Sequence, residues 1–145
     1  MTTQPGSATE VTPETLAEIR AGAERRAAEA REASDRIRTI RAEGRSDRGL
    51  VTVWVDGSAL VEDVRFSDGA SSSPGILGTM LKQAHDRAVA DWQRQVVAIT
   101  DAVLEDQPML REHIQRVSAE DARAHTLPPD EEDPAAPEHG GADRR

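Results

Sequence analysis

Residues 49–66 read GLVTVWVDGSALVEDVRF, the one stretch of this 145-residue chain where apolar residues recur with a period of two. Val51, Val53 and Val55 fall on one face of a strand, with Leu50, Thr52 and Trp54 on the other. Asp56-Gly57 in the middle is a turn signal. A second alternation follows: Leu60, Val64 and Phe66 share a face with Glu62, while Val61, Asp63 and Arg65 take the other. The pattern predicts a β-hairpin. Both faces of its first strand are largely apolar, which calls for cover on both sides. A chain this size has few elements to supply it, so a second copy is the natural candidate. Trp54 is expected in core or interface, as aromatic residues in strands usually are.

The chain around the hairpin reads as helix. Upstream, Thr12-Pro13-Glu14 supplies an N-cap, a Pro at the first helical position and an acid facing the helix dipole. From Pro13 to about Glu43 only Gly22 interrupts, which predicts a rod roughly 45 Å long. A heptad reading gives the seam Leu16, Ile19, Ala23, Arg26, Ala30, Ala33, Ile37 and Ile40. Its middle is small or charged, so the helix should pack well near the hairpin and more loosely further out. Residues 44–49, GRSDRG, end the helix in a polar turn, with a short first strand there left undecided. Downstream, SDGASSS at 67–73 is a connector, and Ser73-Pro74 starts a second long helix. Leu77, Leu81, Ala84, Ala88, Trp92, Val96, Ile99 and Val103 make it amphipathic to about Leu104. Pro108 ends or kinks it, and Met109, Leu110, Ile114 and Val117 suggest a short extra helix. The domain expectation is therefore a disordered N-terminus at 1–11, a helix–sheet–helix domain at 12–105, the extra helix at 106–125, and a disordered acidic tail at 126–145. The fold class is α+β.

One Phe, two Trp and no Tyr are too few for a thick globular core. Such a composition suits Ala-rich helices whose apolar stripe is met by a partner. The net charge of −9 argues against a basic nucleic-acid binder, but it is unevenly spread. Residues 1–48 hold nine bases and nine acids, whereas residues 105–145 hold five bases and eleven acids. The first helix is thus neutral and dense in Arg. Arg20, Arg25, Arg26, Arg31, Arg36, Arg38 and Arg41 lie near Glu24, Glu29, Glu32 and Asp35, several at ion-pair spacing.

Without Cys, neither a disulfide nor a thiolate metal site can form. His85, His113, His125 and His139 have no partner at metal-ligand spacing, so no metal or cofactor is expected. Gly75 and Gly78 flank a helix start, but no GK[ST] follows. With no nucleophile or acid–base pair in context, the chain does not read as an enzyme. The N-terminus shows no secretory signal and no apolar run approaches membrane-spanning length. A cytoplasmic protein without a membrane partner is the expectation.

A long charged helix, then GLVTVWVDG-x-x-L-x-x-V-x-F, a Ser/Asp-rich loop and a helix bearing Leu77, Leu81, Ala84 and Ala88: this order resembles the YbaB/EbfC family of nucleoid-associated proteins. The likeness is closest at 49–66 and runs more weakly from about Pro13 to Leu104. It implies a tweezer-like homodimer joined through the sheet, with helical arms that bind DNA with little sequence preference. It puts Val51, Val53, Val55, Val64 and Phe66 at or near the dimer interface, and the first-helix arginines on the arms.

Two functional readings follow. In one, the dimer touches the DNA backbone through Arg25, Arg26, Arg36, Arg38 and Arg41, with Arg45 and Arg48 at the turn. Binding should then be weak and salt-sensitive, because the chain lacks Lys-rich arms and carries an acidic extension. In the other, the same scaffold is a protein-interaction adaptor or chaperone-like accessory factor, for instance one associated with secretion. Its negative charge and loose outer seam favour that. A tail that inhibits DNA binding in cis is a third expectation.

Overall fold

A computed structural model of the chain describes residues 11–72 and 74–126. The expectations for the tails at 1–10 and 127–145, and for Ser73 as a helix cap, lie outside those residues. The elements run α1 (Pro13–Arg38), β1 (Ala42–Arg45), β2 (Val51–Val55), β3 (Val61–Phe66), a 3-10 turn (Asp68–Ser72), α2 (Pro74–Val103) and α3 (Pro108–His125).

The start of α1 is capped as its sequence predicts: Thr12 Oγ1 accepts from Thr15 N at 3.1 Å, and Pro13 follows. The helix stops at Arg38 rather than near Glu43. Thr39 closes it, with its hydroxyl and its N–H both donating to the Arg36 carbonyl. Residues 42–45 are needed elsewhere, as β1. Gly44 explains why: a Cβ there would overlap the Ala84 carbonyl and the Ala88 N–H of α2. Only a glycine lets a strand lie this close to a helix backbone.

The sheet is antiparallel in the order β1-β2-β3. On its inner face Val51, Val53 and Val55 are fully buried in one cluster with Ala42, Met80, Ala84, Ala88, Val89, Trp92 and Val96. The cover sought for that face is α2 of the same chain. The 49–66 hairpin has a longer turn than Asp56-Gly57 suggests. Asp56 N donates to the Leu60 carbonyl at 2.8 Å, and the Asp56 carboxylate accepts from Ser58 N and Leu60 N. Ala59 adopts the left-handed φ of 60°. Gly57 instead gives close approach, because a Cβ would meet the Ile37 carbonyl at the end of α1. Trp92 Nε1 donates to the Gly57 carbonyl at 3.0 Å. A register shift at Trp54/Val55 pairs Val61, not Glu62, with Val55. The bulge therefore changes the phase that a strict alternation from Leu60 gives.

The two sheet edges differ. Along β1, α2 presents Gln83, Arg87 and Asp91, one per turn. Gln83 Oε1 accepts from Asp47 N at 2.8 Å, Arg87 Nη1 donates to the Arg45 carbonyl at 2.8 Å, and Asp91 Oδ2 accepts from Glu43 N at 3.1 Å. These side chains satisfy backbone groups that an edge strand otherwise leaves open. The β3 edge has no such clip among the described residues. Leu60, Val61 and Phe66 there are each about half exposed, at 53%, 52% and 52%.

α3 folds back along α2. Gln115 Nε2 donates to Thr100 Oγ1 and Asp101 Oδ1, and Ser118 and Ala122 are buried, the latter in the main cluster. Among the described residues no helix is long and apolar enough to cross a membrane.

Candidate nucleic-acid interface

The C-terminal half of α1 is held by the rest of the chain: Ala33 is fully buried, Ile40 is buried and Ile37 packs on the core. The α2–α3 junction reaches α1 at Gln107, whose Nε2 donates to the Arg26 carbonyl and to Glu29 Oε2. Beyond that point α1 runs free. Leu16 and Ile19 are 51% and 56% exposed, so the seam is used only near the sheet. About 13 residues thus project as an arm of roughly 20 Å.

The seven arginines singled out in the sequence do not converge on one surface. Five of them are ion-paired. Arg25 lies 3.9 Å from Glu29, Arg36 2.7 Å from Glu32 and Arg38 3.7 Å from Asp35. Arg41 bonds Glu62 at 3.2 Å and Arg45 bonds Glu43 at 2.7 Å. Arg26 and Arg48 have no carboxylate partner among the described residues. Neither do Arg20 and Arg31, which the choice of candidates passed over. At exposed sites such pairs contribute about 0–1 kcal/mol, so they weaken a phosphate contact without abolishing it.

The outer sheet face is built around Trp54, which is half-buried rather than core. The Arg41 and Arg65 guanidinium carbons sit 4.9 and 5.1 Å from its ring centroid, as cation–π partners. Arg41 precedes β1 and Arg65 lies on β3, so Trp54 on the second face gets its cover from the chain's own arginines. Arg41 and Arg45 are tied into this layer with Glu43, Glu62 and Asp63. Arg48 stands alone at the β1–β2 turn. There Asp47 meets Arg87 Nη2 at 2.6 Å and Gln83 Nε2 at 2.9 Å. The Arg87 bond, then the Gln83 bond and the Arg87 charge, hold the Asp47 carboxyl below its ordinary value.

Of the candidate interface residues, Val51, Val53 and Val55 have no exposed surface in the single chain, Val64 is half-buried and Phe66 is exposed. The valines spend their side chains on α2. The exposed apolar area of the sheet is therefore found at β3, where Leu60 and Val61 add to Phe66. Among the described residues no three His, Asp or Glu side chains gather as a metal site. A shallow, mostly apolar groove of about 390 Å³ is lined by Ile37, Trp92, Ile114 and Val117, with Asp121 also in its lining.

Comparison with curated proteins and with solved structures gave no match. The model of the YbaB/EbfC DNA-binding family matches residues 13–107, from the first residue of α1 through the sheet to the end of the α2–α3 junction. The match covers more than half of the chain and leaves α3 outside it. Helix, sheet and helix are thus one family unit, and the chain belongs to the YbaB/EbfC DNA-binding family.

Proposed function

We propose that the protein is a homodimeric, nucleoid-associated DNA-binding protein of the cytoplasm, not an enzyme, that holds the phosphate backbone weakly and with little sequence preference. The family match over 13–107 carries this reading. The free arm of α1 supports it, because it offers arginines to a ligand without disturbing the core. The candidates that the sequence offers for these contacts are Arg25, Arg26, Arg36, Arg38, Arg41, Arg45 and Arg48. Among them Arg26 and Arg48 need break no ion pair.

Dimerisation is supported by the asymmetry of the sheet. The β1 edge is closed by α2, while the β3 edge pairs unclipped backbone with exposed Leu60, Val61 and Phe66. An exposed apolar edge of this kind invites a second strand. In the proposed dimer Phe66 and Val64 meet the partner, with Val51, Val53 and Val55 beside them on the neighbouring strand.

A gel-shift titration with duplex DNA tests the function. Micromolar protein should shift the duplex at ~50 mM salt and lose it steeply as salt rises, since counterion release dominates such binding. No shift at ~50 mM salt would remove the reading.

A further inference from the structure

We infer that the phosphate-contacting surface of α1 is the row Arg20–Arg31–Arg38, and that the flank bearing Arg25 and Arg36 is turned away from the DNA. This rests on the DNA-binding reading above and names the side of α1 that performs it, adding Arg20 and Arg31 to the candidates and dropping Arg25 and Arg36.

The row follows from helix geometry. Arg20 and Arg31 are 11 residues apart and Arg20 and Arg38 are 18 apart, about three and five whole turns at 3.6 residues per turn. The three side chains therefore line one edge of the helix over roughly 27 Å. Arg31 lies two positions from Ala33, which is fully buried, so the row points away from α2. Every residue of the row is exposed.

Charge separates this edge from the other flank. Glu14, Glu18, Glu29 and Glu32 share a side with Arg25 and Arg36, and there the arginines pair with Glu29 and Glu32. That flank is net acidic and repels phosphate. On the row, Arg20 and Arg31 have no carboxylate partner among the described residues. Arg38 is held by Asp35 at 3.7 Å, with both groups about three-quarters exposed. A contact that loose exchanges readily for a phosphate. Ala27, seven residues beyond Arg20 and four before Arg31, is the residue in line with the row between them, and its side chain is small. Glu24, four residues beyond Arg20, is the counter-charge bordering the row, and it makes no ion pair of its own among the described residues.

Arginine chemistry suits this ligand. The planar guanidinium offers paired donors to phosphate oxygens and stays charged at all relevant pH values.

The test is fluorescence anisotropy of a labelled duplex DNA across ~50–200 mM salt, with the full chain throughout. The double variant R20A/R31A should lower the slope of log K against log salt by about 2 per protomer, at 0.9 per phosphate released, with affinity down several-fold or more. R25A/R36A should leave the slope unchanged, and E24Q should tighten binding. All of these positions are exposed, and circular dichroism checks that each variant stays folded. If the wild-type chain binds and R20A/R31A keeps its slope, this inference is overturned while the DNA-binding reading stands. If R25A/R36A loses the slope instead, the contact flank is the other one. If the wild-type chain gives no signal at ~50 mM salt, the functional reading fails and takes the inference with it.

Discussion

Two glycines of this chain show how differently one residue type is used. Gly49 has a left-handed φ of 66° and nothing within 4 Å of where a Cβ would stand. Its alanine variant meets backbone strain alone, about 1–2 kcal/mol. Gly44 has no such φ, but its missing Cβ is where the α2 backbone lies at Ala84 and Ala88. Neither side can yield without parting β1 from α2. Gly44→Ala should therefore cost about 3 kcal/mol or more, above the usual range for single substitutions. Thermal melts of the two variants check the ranking. If Gly44→Ala melts no lower than Gly49→Ala, the close packing of β1 on α2 is not what holds the sheet.

At the scale of elements, the clip from α2 to the β1 edge includes an ionised group whose pKa reports on folding. The Asp47 carboxyl titrates lower in the folded chain than its ordinary value of 3.8, chiefly through the bond from Arg87. A lowered folded pKa means that the stabilisation is complete above the unfolded value. It fades as pH falls from near 3.8 through the lower folded value. Denaturation followed from pH 7 down to pH 2 should show the wild-type chain losing part of its advantage over Asp47→Asn at the acid end. A constant difference across that range would mean that the carboxylate charge plays no part. The clip was not legible in the sequence, and neither was β1. AEGR carries no alternation, and its strand state comes from Gly44 against α2 and from Gln83, Arg87 and Asp91 along its edge. The hairpin was legible because valines at every second position have one good solution. α3 was half legible: Pro108 and the apolar spacing mark a helix, but it docks through Ser118 and Ala122, too small to stand out. The arginine pairing was the least legible. Asp35 stands four residues after Arg31 and three before Arg38, equally placed for either, and only side-chain geometry assigns it to Arg38.

At the scale of the molecule, the proposed dimer would couple DNA binding to dimerisation through the number of arms. A single arm offers few phosphate contacts, and most of its neighbouring charge is balanced. Two arms on one dimer make the second contact intramolecular, which raises avidity by orders of magnitude without any new chemistry. Replacing Val61 and Phe66 with Asp places charge on the half-exposed β3 edge but leaves the buried valines in place. The chain should stay folded and run near its monomer mass of 15.7 kDa, whereas the wild-type protein is expected near twice that. Because log K falls by about 0.9 per released phosphate for each unit of log salt, the variant's slope should be about half that of the dimer. Light scattering after size exclusion gives the masses, and the same anisotropy titration gives the slopes. A variant that is monomeric and keeps the full slope would show that one arm suffices, whereas a wild-type monomer would remove the β3 edge as an interface.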